Sequence, residues 1–111
     1  MREKLEKLLA QGRDSALLRF GLGDACLKEH DAEQAALHLA QATVQQPGYS
    51  AAWKLLGKAL HQLSRLEEAQ AAWATGVTVA RQQGDLQAVK EMTVFLKRLQ
   101  KQQQAAEQNR L

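Results

Sequence analysis

The chain of 111 residues repeats itself, and this repeat limits what it can fold into. When the sequence is shifted by 34 residues, small side chains fall on small ones and large on large. Gly23 falls on Gly57, and Leu39 falls on Trp73. Self-similarity at such a period indicates one supersecondary unit used twice. The other matching pairs are Leu22 with Leu56, Ala25 with Ala59, Glu33 with Glu67, Ala35 with Ala69, Ala40 with Ala74 and Ala42 with Gly76.

The composition favours helices for the repeated unit. Hydrophobic residues make up 45% of the chain but aromatic residues only 5%, because much of the apolar content is Ala and Leu. Both are strong helix formers. There is a single proline, Pro47. We therefore predict an all-α chain of closely packed helices, and 111 residues suffice for a single domain.

Local signals divide the first half of the chain into three predicted helices. Leu5, Leu8 and Leu9 form one face of a short amphipathic helix that stops at Gly12. A second helix covers residues 15–29 and is apolar on more than one face. Asp31 then reads as the N-cap of a third helix, which ends before Pro47.

The second half predicts three more helices. Residues 47–50 form a turn that ends in a capping Ser50, and helix follows over residues 51–63. Residues 64–67 read as a capping box for a long helix that reaches residue 83. Gly84 stops it and Asp85 caps the last helix, predicted over about residues 86–103 with one apolar face and a frayed end.

These residues resemble the tetratricopeptide repeat (TPR) family, whose unit is a helix-turn-helix with a Trp-x-x-Leu-Gly pattern. The resemblance implies hairpin repeats at about residues 16–49 and 50–83, inside one domain of residues 1–111. The second repeat matches better, since Arg19 stands where the first should carry an aromatic residue. The motif residues are Leu22, Gly23, Cys26, Ala35, Leu39, Ala42 and Pro47, then Trp53, Leu56, Gly57, Leu60, Ala69, Trp73 and Gly76.

The resemblance gives each motif residue a packing role. Gly23 and Gly57 let the two helices of a hairpin approach closely, as do Ala35 and Ala69. Three large residues are expected to fill the space between adjacent hairpins, and these are Leu39, Trp53 and Trp73.

Departures from the family pattern predict what lies at the two ends of the array. Because of Arg19, the first repeat should meet a different neighbour, such as the Leu5–Leu9 segment. After Gly84 the motif is absent, since Lys90 and Glu91 stand where Leu and Gly belong. The last helix is therefore predicted to be a capping helix, which repeat arrays need to cover an apolar end.

No residue pattern predicts catalysis, a metal site or a cofactor. His30, His38 and His61 lack metal-ligand spacing, and the single Cys26 falls on a packing position. Gly21 and Gly23 lie inside a helix with no strand before them, so they do not form a phosphate loop. Capping explains three serines, Ser15, Ser50 and Ser64. We expect a protein that is not an enzyme.

Charge and hydropathy narrow the possible partners and location. The net charge is +3 and the pI is near 9.2, but acidic and basic residues are interleaved, which disfavours nucleic acid as a partner. The charged start has no secretory signal, and no later segment resembles a membrane span. We expect a cytoplasmic protein that does not enter a membrane.

The resemblance implies a non-enzymatic module that binds a peptide or helix of another protein in a concave groove lined by the first helix of each hairpin. Lys54 and Lys58 lie one turn apart and could attract an acidic segment. Phe20 and Asp24 stand where a carboxylate clamp would need Lys and Asn, which disfavours binding of chaperone tails. The implied groove residues are Leu17, Phe20, Asp24, Leu27 and Lys28, then Ala51, Lys54, Lys58, His61 and Gln62.

Two alternatives stay open. The chain could be a monomer or a weak homo-oligomer that self-associates through residues 86–99 or 5–9, or, less favoured, a weak nucleic-acid binder. The sequence does not specify the partner.

Overall fold

A computed structural model describes residues 1–110 of the chain, and that part contains helices and no strands. The all-α prediction is confirmed. Leu111, the last residue of the predicted domain, lies outside the described residues. The helices are α1 (Arg2–Ala10), α2 (Ala16–Lys28), α3 (Ala32–Gln45), α4 (Ser50–Gln62), α5 (Leu66–Gln82) and α6 (Leu86–Gln108).

Side-chain caps fix the starts of three helices. The side chains of Ser15, Asp31 and Asp85 each accept a hydrogen bond from a backbone N–H three residues further on. Such caps satisfy amide groups that have no partner within the helix. All three were predicted from the sequence.

The capping roles predicted for Ser50 and Ser64 are wrong. Ser50 is the first residue of α4, and its buried hydroxyl lies 3.4 Å from a carboxylate oxygen of Asp85. Ser64 has a φ of +61°, and the N-cap of α5 is Arg65, which makes no side-chain capping bond. Ser64 follows the C-cap residue of α4 and has the left-handed conformation, whereas N-cap residues have a negative φ.

α6 is longer than predicted, since it continues to Gln108 instead of ending near residue 103. Gln, Lys, Ala and Glu all favour helix, so the polar tail extends the helix rather than fraying. The side chain of Gln102 also lies 3.0 Å from the ring of His61 on α4. The extra length predicted for α5 is confirmed, with 17 residues against 14 in α3.

The two helices of each hairpin pack closely at a glycine, which has no side chain. A Cβ added to Gly23 would overlap the Leu39 side chain, and one added to Gly57 would overlap the Trp73 ring. This confirms the close approach predicted at both glycines. Leu39 and Trp73 each lie over the glycine of their own hairpin.

Trp53 joins the two hairpins. Its indole Nε1 donates a hydrogen bond of 2.8 Å to the carbonyl of Pro47 in the connection between the hairpins, and its side chain lines a cleft together with Ala36 and Ala40 of α3. Trp73 reaches past its own hairpin toward α6, where its ring lies 5.2 Å from the ring of Phe95. Trp53 and Trp73 therefore both reach beyond their own hairpin.

Both ends of the array are covered, as predicted. A methyl group of Leu5 on α1 lies over Gly21 of α2, and Arg2 donates to Asp31 at 3.0 Å. At the other end, Met92 of α6 packs on Gly76 of α5 and is fully buried. Helix α1 thus covers the first hairpin, and helix α6 covers the second.

Arg19, which stands where the family pattern has an aromatic residue, forms a network of hydrogen bonds instead. Its guanidinium donates two hydrogen bonds of 2.8 Å to Asp14 and one of 3.2 Å to Nδ1 of His38 on α3. Asp14 also accepts a hydrogen bond from Gln45, and these partners hold the pKa of its carboxyl well below the usual range. The network ties the α1–α2 connection to α3.

Candidate functional site

Helices α2, α4 and α6 form one face of the stack, which we call the inner face. α2 contacts α4 and α4 contacts α6, whereas α3 and α5 do not contact each other. The stack therefore bends toward the side where neighbouring helices lie closer together. This makes the inner face concave, and the implied groove residues all belong to α2 and α4.

The α2 part of the inner face is partly occupied by the chain itself. The ring of Phe20 stacks on Tyr49 with 4.9 Å between the ring centroids, so Phe20 also links the two hairpins. Asp24 pairs with Lys28 at 3.0 Å, and Leu27 packs against the core. Leu17, at 73% exposure, is the apolar group that this helix presents to solvent.

The α4 part of the inner face lies beside α6. Lys54 pairs with Glu91 at 3.2 Å, and the ammonium group of Lys58 lies 5.2 Å from the centroid of the Phe95 ring. Ala51 is half-buried and Gln62 is exposed. Lys54 and Lys58 therefore differ: Lys54 is neutralised by α6, while Lys58 is exposed and has no acidic partner within residues 1–110.

The sequence reasoning missed that α6 contributes to this face. The buried residues of α6 fall in phase with those of α4 when the shift is 36 residues, which places Ala52 on Ala88 and Leu56 on Met92. At the shift of 34 residues that relates the two hairpins, the motif is absent. The apolar spacing of Ala88, Met92 and Leu99 indicates which side of α6 packs on the hairpins.

A cleft of about 220 Å³ opens between α4 and α6, and we call it the inner cleft. Trp73, Phe95 and Leu99 form its apolar part. Two exposed cations, Lys58 and Arg98, also line it. Of these, Phe95 and Arg98 were not among the predicted groove residues. The remaining lining residues are His61 and Gln62.

A second cleft, of about 430 Å³, separates α3 from α5 on the opposite face, and we call it the outer cleft. It is lined by apolar side chains that include Trp53, Leu56 and Leu37, and Leu37 is 62% exposed. Arg65 and Glu68, which form an ion pair, line it too. No predicted groove residue lies in this cleft.

The titratable side chains of residues 1–110 do not gather into a metal-binding cluster. Within residues 1–110 no three His, Cys, Asp or Glu side chains gather as a metal site would require. Cys26 is fully buried in the core, as predicted for a packing residue, and burial raises the pKa of its thiol. No helix in the described part of the chain has the length and apolar character needed to span a membrane.

The geometry defines a class of protein: a stack of helical hairpins with a concave face and a capping helix at each end. No family model matches the sequence. A relative, TPR repeat-containing protein PA0015 of Pseudomonas aeruginosa, is 56% identical over 99 residues, which cover 89% of this chain and 94% of the relative. The chain belongs to the tetratricopeptide repeat family, as the motif residues predicted.

Solved structures agree with this fold. The solution structure of protein BPP2914 from Bordetella parapertussis is 43% identical with a TM-score of 0.80, covering 92% of this chain and 89% of that one. The crystal structure of a tetratricopeptide repeat domain protein from Salinibacter ruber has a TM-score of 0.73 at 24% identity, covering 78% and 97% of the two chains. Proteins of this family generally mediate protein–protein interaction.

Proposed function

We propose that this chain is a non-enzymatic, cytoplasmic interaction module, and that it binds a peptide or helix of a partner protein along its inner face. The observation that carries the proposal is the inner cleft, which is open to solvent and has aromatic side chains in its lining. A concave site with an apolar lining and a few polar groups is the usual form of a binding site. The family assignment supports the same function.

Leu17 extends the proposed binding surface across the inner face. It is a large apolar residue on α2 with 73% of its surface exposed. Burying it against a partner would contribute about 1.5–3 kcal/mol. A partner segment that lies across α2, α4 and α6 would contact both Leu17 and the inner cleft.

A matched pair of substitutions tests which face binds. Leu17 belongs to α2 of the inner face and Leu37 lines the outer cleft, with similar exposures of 73% and 62%. We expect Leu17→Glu to lose the proteins that the wild-type chain captures from a lysate of its own cells, measured by quantitative mass spectrometry. Leu37→Glu should retain them. Loss with Leu37→Glu but not with Leu17→Glu would place binding on the outer face and contradict the proposal.

Self-association is the second candidate, because α6 leaves two apolar residues exposed. Leu86 is 65% exposed and Val94 is 42% exposed. Leu99 and Met92, which the sequence reasoning offered for pairing between chains, are buried within the chain. Sedimentation equilibrium separates the candidates, since a mass that stays monomeric as concentration rises removes this one.

A further inference from the structure

We infer that the outer face of the stack binds a second copy of this chain and forms a weak antiparallel dimer. The outer face is the solvent-exposed side of α3 and α5, which holds the outer cleft. The inference goes beyond the proposed function, because a dimer formed there leaves the inner face free for a partner. It also differs from self-association through α6, which would use the exposed Leu86 and Val94.

The outer face carries no charge along its middle. Charged residues make up 24% of the chain, yet residues 34–46 and 69–80 contain no Asp, Glu, Lys or Arg. These two stretches form most of α3 and α5. Leu37 and Val44 lie in the first stretch and are 62% and 71% exposed. Because soluble proteins seldom leave large apolar residues on an uncharged surface, this face has the character of a contact between proteins.

The exposed residues of this face form two stripes that the 34-residue repeat places on corresponding positions. Within each stripe the residues are spaced alternately by four and three, so they follow one side of their helix. This is the spacing through which two long helices pack at a shallow angle. Each stripe begins with a glutamate and has an alanine near its centre. The exposed stripe of α3 is Glu33, Leu37, Ala40 and Val44, and that of α5 is Glu67, Ala71, Ala74, Thr78 and Arg81.

The charges at the two ends of the α5 stripe make the outer face complementary to itself. Glu67 and Arg81 are both exposed, and neither has an ion-pair partner within residues 1–110. In an antiparallel two-fold dimer, Glu67 of each copy meets Arg81 of the other. The same axis brings Leu37 of one copy to Val44 of the other. A parallel arrangement would bring the two acidic ends together, which is unfavourable.

The size of the face predicts a weak dimer. The α5 stripe from Glu67 to Arg81 is about 21 Å long, and two helices about 10 Å apart give a face of about 400 Å² per copy. A stable interface buries about 800 Å² per partner, so this dimer should be transient, with a dissociation constant on the order of 100 µM. Ala40 and Ala74 lie where each helix would cross its own copy, and their small side chains permit close approach.

Sedimentation equilibrium of the full chain between about 10 µM and 1 mM tests the inference. The mass should rise with concentration from that of a monomer toward that of a dimer. Leu37→Glu should raise the dissociation constant at least tenfold, because each interface would then bury two unpaired carboxylates. The matched control is Leu86→Glu on α6, which removes a leucine of similar exposure, 65%, and should dimerise as wild type does. Ala74→Glu should act as Leu37→Glu does, and circular dichroism checks that each variant is folded.

Charge reversal tests the orientation of the two copies. Arg81→Glu alone and Glu67→Arg alone should each weaken the dimer about threefold, since an exposed ion pair contributes little and two pairs are lost. The double variant Glu67→Arg/Arg81→Glu should recover the wild-type dissociation constant, because the two charges exchange places. A double variant that dimerises no better than the single ones would overturn the antiparallel arrangement.

Three results would overturn the dimer itself. The first is a mass that stays monomeric at 1 mM, and the second is a dimer that Leu86→Glu removes while Leu37→Glu keeps it. The third is a monomer that captures a different protein from a lysate and loses it with Leu37→Glu. None of them bears on the inner face, which Leu17→Glu tests. In that capture experiment, the cell's own copies of this chain are the one protein that Leu37→Glu should lose.

Discussion

At Gly57, the absence of a side chain determines how closely α4 and α5 can pack. The Trp73 ring occupies the space that a Cβ would need, and its indole is held by the carbonyl of Lys54. Gly23 and Leu39 repeat the arrangement in the first hairpin. The motif glycines are thus explained by packing inside each hairpin.

Gly57→Ala should therefore destabilise the chain, although alanine favours helix more than glycine does. The displaced Trp73 ring should lower the free energy of unfolding by about 1–3 kcal/mol, measured by urea denaturation. Gly21→Ala is the matched control, since its Cβ would meet only a methyl group of Leu5 at 3.3 Å. The hairpin packing would be contradicted if both variants were equally stable.

At Ser64, substitution by glycine should raise the free energy of unfolding instead of lowering it. Its φ of +61° is unfavourable for any residue with a Cβ, and glycine removes that strain. Ser64→Gly should raise the free energy of unfolding by about 1 kcal/mol. Ser15→Ala, which removes a capping hydroxyl, should lower it by about 1 kcal/mol. Thermal melts of both variants check the pair, and a loss with Ser64→Gly would refute the turn assignment.

His38 makes the stability of the chain depend on pH. Burial, followed by the charge of Arg19, lowers its pKa; Arg2 lowers it further, while Glu6 and Asp14 raise it. The folded state therefore favours neutral His38, whose Nδ1 accepts from Arg19. This contribution is complete above the unfolded pKa of about 6.5 and is lost as pH falls through the lower folded pKa.

Removing this histidine should flatten that dependence. We expect urea denaturation of the wild-type chain to show a loss of stability between about pH 7.5 and pH 5, and a smaller loss in His38→Gln. His30→Asn is the control, because His30 is exposed and asparagine tolerates its left-handed backbone. An equal reduction of the pH dependence in both variants would show that His38 is not its source.

Among the elements, α6 has two structural roles. It covers α5 through Met92 and Leu99, and it brings Glu91, Phe95 and Arg98 to the inner face. Its last turns are different, because most side chains after Leu99 are exposed. The two parts of α6 should therefore contribute unequally to stability.

Two truncations test that division. Deleting residues 86–111 removes three buried side chains, of which Met92 and Leu99 are worth about 2–5 kcal/mol each, and this loss is comparable with the whole stability of a small domain. We expect that chain to lose most of its helical circular dichroism. A chain that ends at residue 100 should keep its fold and melt only slightly lower. Similar melts for the two truncations would contradict the capping role of α6.

The helices could be predicted from the sequence because their signals are local. The spacing of Leu5, Leu8 and Leu9 and the caps at Asp31 and Asp85 all act over a few residues. The positive φ of His30 and Ser64 was missed, since neither residue is glycine. Nothing in the side chain of a serine marks that conformation, and its capping preference pointed the other way.

The candidate site was predicted less completely than the fold. The resemblance placed the groove residues on α2 and α4, but the ion pair between Lys54 and Glu91 depends on how α6 packs. Phe95 and Arg98 belong to the site because α6 packs beside α4. Contacts between elements depend on the tertiary arrangement, which single-residue patterns do not encode.

At the scale of the whole molecule, the helices form an elongated stack of 53 × 31 × 18 Å. Each helix contacts only its near neighbours in the chain. In such a stack, stability is close to a sum over units and their interfaces. The end helix α1 has no buried residue, whereas α4 has six.

Backbone hydrogen exchange should reveal this gradient. We expect the amides of α4 and α5 to exchange most slowly and those of α1 and the last turns of α6 most quickly, because local opening exposes little apolar surface at the ends. Mass spectrometry of peptides after exchange measures the rates. Uniform protection along the chain would show that it opens only as one unit.

The two tryptophans of the chain give each face its own spectroscopic probe. Trp53 lines the outer cleft and donates to the carbonyl of Pro47, while Trp73 lines the inner cleft and donates to the carbonyl of Lys54. Because each indole N–H is held by a different carbonyl, the pair should give two separate cross-peaks in a proton–nitrogen NMR spectrum. A ligand that shifts one peak and spares the other would report the face it occupies, with no label added to the protein.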